Sequence, residues 1–142
     1  MALDEIRKTK IEKVKELRKA GIDPYPARSA RTHSVAEALE KFDDLAVSQE
    51  SIVLAGRVMA KREHGGSMFF DINDGSRSGL PRGEGPNEVG TPHRREFCRI
   101  QGYAKEDVLG KDDFRFFHDL VDIGDFVEIK GHLFRTKKEE ET

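Results

Sequence analysis

A mainly β protein with appended helices is what this sequence predicts, and three observations predict it. Four segments alternate apolar and polar residues with a period of two, the mark of half-buried strands. Helical periodicity is confined to the first part of the chain and to one stretch before the last strand candidate. Gly, Asn and Asp, which tolerate the backbone angles of a reversal, punctuate the gaps between them. The totals agree: 142 residues, 37% charged and 36% apolar, make room for one surface-rich domain or a small domain plus an appendage.

In chain order, residues 3–20 read as a helix with a narrow apolar stripe of Leu3, Ile6, Ile11, Val14 and Leu17. Gly21 stops it, and Pro24 and Pro26 follow. Its Lys/Arg residues (7, 8, 10, 13, 15, 18, 19) outnumber its acids (4, 5, 12, 16), which suits a solvated face or one that touches phosphate. The stretch "DPYPARSART" is a linker without periodicity. Ser34 and Glu37 fit a capping box that opens a second helix, with Val35, Ala38, Leu39 and Phe42 on one face.

The strands begin at "IVLAGRVMAKR", Ile52–Arg62. Gly65-Gly66 then suits a two-residue hairpin turn. In "SMFFDINDGS" Met68, Phe70 and Ile72 point one way, and Phe69, Asp71 and Asn73 the other. Phe69 is therefore an aromatic on an otherwise polar face. In "FCRIQGY", Cys98, Ile100 and Gly102 form the apolar set, and Arg99, Gln101 and Tyr103 the polar one. If the strands are neighbours, one face carries Phe69, Gln101 and Arg99, with Arg62 at its edge. A stacking ring, an amide and guanidinium groups are what single-stranded nucleic acid recognition uses. An ordinary core position for Phe69, under a helix or loop, remains the competing expectation.

Residues 77–97 are rich in Gly, Pro and Arg and predict a long mobile loop between two strands. After it, "DDFRFFHDLVDIGD" predicts a helix capped by Asp112 or Asp113, burying Phe114, Phe117, Leu120 and Val121. "FVEIKGHLF" is a fourth strand, with Val127, Ile129, Gly131 and Leu133 on one face. Three meander strands, a helix and a strand are the order of an OB-fold, a five-strand Greek-key barrel. Only four strands are visible, so the fifth is expected to be missing or truncated. The division that follows is a helical extension and linker over 1–48 and an OB domain over 49–142.

Several functions find no footing. A net charge of -2 excludes a uniformly basic nucleic-acid binder and requires a local patch. One cysteine excludes an internal disulfide and favours a reducing compartment, the cytoplasm. No apolar run approaches the ~20 residues of a membrane span. The five histidines and Cys98 lack metal-ligand spacing, and there is no nucleophile motif, P-loop or dinucleotide fingerprint. No catalytic residue, metal or cofactor is expected in this chain.

"KVKELRKAGIDPYP" followed by "RTHSVAE" resembles the N-terminal helix and linker of class II lysyl-tRNA synthetases. "VLAGRVMAKREHGGSMFFDINDGS", "RIQGYAKED" and "FFHDLVDIGDFVEIKGHLFRTK" resemble the anticodon-binding OB domain of the same family. The resemblance implies a part of an ATP-dependent lysine–tRNA ligase that holds the anticodon loop of tRNA(Lys). It implies that Phe69 stacks on an anticodon base and that Gln101 bonds that base's Watson–Crick edge. Arg62 would contact the same nucleotide or its phosphate, and Glu140 would hold a neighbouring base. ATP and Mg2+ would act in a catalytic domain of the parent enzyme, which is absent here. The parent would be a homodimer and this chain a monomer. Three departures stand out: about twenty extra residues between "DGS" and "IQ", Glu139 where the family has a turn glycine, and a chain that stops where the fifth strand would start. An alternative function is an OB scaffold whose 77–97 loop displays a peptide to a protein partner.

Overall fold

The computed structural model describes residues 2–77, 97–136 and 142. Its elements are α1 (Leu3–Lys19), α2 (Val35–Glu40), α3 (Phe42–Ser48), β1 (Ile52–His64), β2 (Ser67–Arg77), β3 (Phe97–Lys105), α4 (Glu106–Leu109), α5 (Lys111–Leu120) and β4 (Phe126–Gly131). The strands form one antiparallel sheet in the order β3-β2-β1-β4. With β1 between β2 and β4, this is the strand arrangement of an OB barrel left open between β3 and β4. The expected mainly β fold with a helical N-terminal part is borne out, and among the described residues the sheet has four strands, consistent with an incomplete OB-fold.

Backbone continues past β4 toward that opening. Phe134 and Thr142 exchange both N–H···O bonds, at 2.9 and 3.1 Å, the pairing of two antiparallel residues. Thr142 is buried, and with Ile52, Leu54, Ile100 and Leu133 it lines an apolar cleft of about 110 Å³ along the seam.

The core lies inside the curled sheet under α2, α3 and α5. Val58, Met68, Phe70, Ile72, Cys98 and Ile100 come from the inner face, and Val35, Ala38, Phe42 and Phe114 from the helices. The period-two assignment of Met68, Phe70 and Ile72 to the buried side is thus correct. Gly102 faces Phe70 directly across β2 and β3. A Cβ there would lie 2.1 Å from Phe70 Cζ, so the missing side chain is what lets the ring lie flat over the strand.

A bulge in β1 sets the second half of the sheet. Val58 pairs with Ile72 and Ala60 with Asp71, which leaves Met59 as the extra residue. Beyond it the faces exchange parity. Lys61, opposite Phe70, turns inward, and Arg62, opposite Phe69, turns outward. Lys61 Nζ then donates to the carbonyls of Phe117, His118 and Val121 at 2.9, 2.8 and 2.7 Å, satisfying the C-terminal end of α5.

The helices depart from expectation in three places. The capping box at Ser34 and Glu37 is present, with both bonds made. The run it opens, however, breaks at Lys41 into α2 and α3, so Phe42 starts a new helix. Helix α5 begins after Gly110, and neither Asp112 nor Asp113 caps it. Helix α1 buries no residue, and Leu3 is 81% exposed. It docks by charge instead: Lys10 and Lys13 reach Asp122 at 2.8 and 2.6 Å, and Lys10 also reaches Asp125 at 3.1 Å. The predicted loop over 77–97 lies outside the described residues apart from its ends, which are paired strand residues.

Candidate nucleic-acid interface

Strand register places the candidate residues on one outer face in three adjacent rows. Arg62, Phe69 and Tyr103 are consecutive cross-strand partners over β1, β2 and β3. Ala60, Asp71 and Gln101 form the next row, and Arg57, Asn73 and Arg99 the third. Directly opposed residues carry Cβ atoms ~4.5–5.5 Å apart, so each row is a set of touching neighbours. Phe69, Gln101 and Arg62 are therefore brought together, with Arg99 on the same face. Glu140 lies outside the described residues.

Phe69 is half-buried, and what covers it is another ring. Its centroid is 4.9 Å from that of Tyr103, with the planes tilted by 35°. Tyr103 makes an edge contact with Phe134 at 6.0 Å and shares a 3.0 Å hydrogen bond with Ser67 Oγ. Phe69 is not among the residues of the buried core, which Met68, Phe70 and Ile72 of the same strand join.

Charge on the face is cationic on balance, with Arg57, Arg62 and Arg99 set against one carboxylate, Asp71. Arg57, Arg62 and Arg99 have no carboxylate partner among the described residues, whereas Lys10, Lys13, Lys19, Arg31 and Arg135 all do. Arg57 lies over the exposed ring of Phe126, 4.7 Å from its centroid, a cation–π contact that leaves its N–H groups free to turn to a ligand. A chain of net charge -2 thus concentrates three guanidinium groups on one side of one sheet.

Below the face, Asp74 holds its end of the sheet to α2. Its carboxylate accepts from Val35 N at 2.8 Å and from Ser76 N at 2.9 Å, and Arg31 stands 3.8 Å away. Burial alone would raise its pKa. The Ser76 and Val35 bonds and the Arg31 charge outweigh that and hold it below the usual carboxylate range. Asp74, Gly75 and Ser76, which lie within the irregular end of β2, are therefore a structural tie. Among the described residues, no group of three or more His, Cys, Asp or Glu is placed to hold a metal ion.

Sequence reasoning gave no role to Tyr103, although it follows Gln101 by two on the same alternation. Phe134 carried no signal, because its contact to Tyr103 spans the open seam. Arg57 was equally silent, since its neighbour Phe126 comes from the far end of the domain.

No protein-family model matches the chain. Curated proteins do. The lysine–tRNA ligase of Carboxydothermus hydrogenoformans is 38% identical over 140 residues, covering 99% of this chain and 24% of that protein. Over nearly its whole length this chain is similar to part of a lysine–tRNA ligase. The ligase of Thermosipho africanus is 33% identical over 144 residues, and that of Methanoculleus marisnigri 37% over 135 residues. The resemblance drawn from the linker and strand motifs is borne out. The chain spans about a quarter (24%) of the length of the first two ligases. Among the described residues, no helix is long and apolar enough to cross a membrane.

Proposed function

We propose that this chain is the anticodon-binding part of a lysine–tRNA ligase and takes unpaired bases of tRNA(Lys) on the outer face of β1–β3. The observation that carries this is the placing of Phe69, Gln101 and Arg62 in adjacent rows of one outer sheet face. Phe69 offers a stacking surface, worth ~1–3 kcal/mol per base. The Gln101 amide has both donors and an acceptor, which suits the Watson–Crick edge of a stacked uridine. Arg62, beside Phe69, neutralises the phosphate of the same nucleotide, and Arg99 and Arg57 extend the attraction along the backbone. Glu140, by resemblance, holds a neighbouring base.

ATP and Mg2+ belong, on this proposal, to the catalytic portion of the parent ligase, and no step is assigned to them here. The parent ligase is a cytoplasmic homodimer on the same proposal. A scaffold displaying the 77–97 segment to a protein partner finds no support in the ligase relatives.

Titration with an RNA hairpin bearing the lysine anticodon, against one with a scrambled loop, tests the proposal. Preference for the lysine anticodon that weakens with salt is the expected result. Equal affinity for both hairpins, or none for either, would overturn it.

A further inference from the structure

We propose that Tyr103 is a second nucleobase-stacking surface, so that the face receives two successive unpaired bases, one on Phe69 and one on Tyr103. The inference rests on the RNA-binding function above and adds a residue to it. Its argument is geometric. The two rings are neighbours, 4.9 Å apart, but their planes differ by 35°. A planar base lying flat on Phe69 is therefore well off parallel to Tyr103, and a single base cannot stack fully on both. Two bases can, each on its own ring.

Tyr103 is also held as a stacking surface should be. Ser67 fixes its hydroxyl at 3.0 Å, and Phe134 supports it from the other side with an edge contact at 6.0 Å. Phe134 is itself pinned by its two backbone bonds to Thr142. Clamped at both ends, Tyr103 still keeps 37% of its surface exposed. A ring serving only to close the seam against Phe134 would gain by burying that area. Ser67 and Phe134 are positioning residues in this arrangement. Arg62, at the other end of the same row, supplies charge for the backbone that joins the two bases.

The test uses the anticodon hairpin and derivatives with one abasic nucleotide at each loop position, titrated by fluorescence anisotropy. Tyr103→Ala should weaken binding of the intact hairpin by roughly tenfold, as loss of one base stack does. That loss should vanish for one abasic hairpin. Its abasic position should adjoin the one that cancels the effect of Phe69→Ala. A second measurement needs no variant: the Tyr103 ring signals, easily assigned among only two tyrosines, should shift upfield on binding and revert when that neighbouring base is removed. Losses equal across all abasic hairpins, with unshifted ring signals, would make Tyr103 a seam-closing residue and overturn the inference. No effect of Tyr103→Ala beside a clear effect of Phe69→Ala would overturn it and leave the anticodon-binding function standing. Failure of the unaltered chain to bind any hairpin would remove both.

Discussion

Phe69 and Phe70 are adjacent in sequence and opposite in consequence. Phe70 is 4% exposed in the core, against Gly102 and Phe117, while Phe69 shares the outer face with Tyr103. Phe70→Ala should cost ~3–5 kcal/mol of stability, enough to unfold the domain. Phe69→Ala should leave the melting temperature within a few degrees and weaken anticodon-hairpin binding by about one to two orders of magnitude. Melting curves and titrations of the two variants check both, and a stable Phe70→Ala would reverse the face assignment. Asp74 gives a second prediction at this scale. Its folded pKa is depressed, so its contribution is complete above the unfolded value of 3.8 and is lost as pH falls through the folded value. Asp74→Asn should destabilise by ~1.5–3 kcal/mol at neutral pH, the worth of hydrogen bonds to a charged group. It should also flatten the stability profile at the acid end, as urea unfolding at successive pH values would show. Alternation alone made the sides of Phe69 and Phe70 legible. The role of Asp74 was not, because Val35 lies far from it in sequence.

Elements were legible where local periodicity decided them and obscure where a distant partner did. All four strands and the hairpin turn follow from alternation and glycines. The bulge at Met59 does not, since strict alternation from Val58 would turn Arg62 toward the core. The inward turn of Lys61 is the same displacement seen one residue earlier, and its three carbonyl partners explain why a cation is tolerated there. Close packing of β2 on β3 predicts that Gly102→Ala, whose Cβ would collide with Phe70, costs about 1–3 kcal/mol despite adding a single carbon. The stripe on α1 misled because this helix docks through Lys10 and Lys13 and not through apolar burial. Burial of Asp122 opposes its ionisation, but the bonds from Lys10 and Lys13 prevail and lower its pKa. Half-exposed pairs of this kind are worth ~0.2–1 kcal/mol each and are screened by salt. Asp122→Asn should therefore speed amide exchange throughout α1, as high salt should in the unaltered chain, while the sheet amides and the melting temperature change little.

On the scale of the whole molecule, the topology makes the binding face. β1 pairs on both sides, so β2 and β3 curl with their inner residues against α2 and α5, while their outer residues Phe69, Gln101 and Arg99 stay outside the buried core. The opening between β3 and β4 leaves that face intact and is bridged at one end by the Tyr103–Phe134 contact. Order along the chain was enough to name the barrel, because the helix before β4 is what carries the chain to the far side of β1. The segment between β2 and β3 bears on stability separately from binding. Its ends, Arg77 and Phe97, are already cross-strand partners, so replacing the residues between them with a short turn leaves the register unchanged. Closure entropy changes by only ~0.6 kcal/mol per doubling of loop length, and cutting about nineteen residues to about four is roughly two doublings. The shortened protein should thus be more stable by about 1 kcal/mol, a rise of a few degrees in melting temperature for a chain of this size. Its affinity for the anticodon hairpin should be unchanged, since rows 62–69–103 and 60–71–101 lie at the other end of the two strands. A lower melting temperature would show that the removed residues pack on the sheet. Weaker RNA binding at unchanged stability would show that the arginines of that segment belong to the interface.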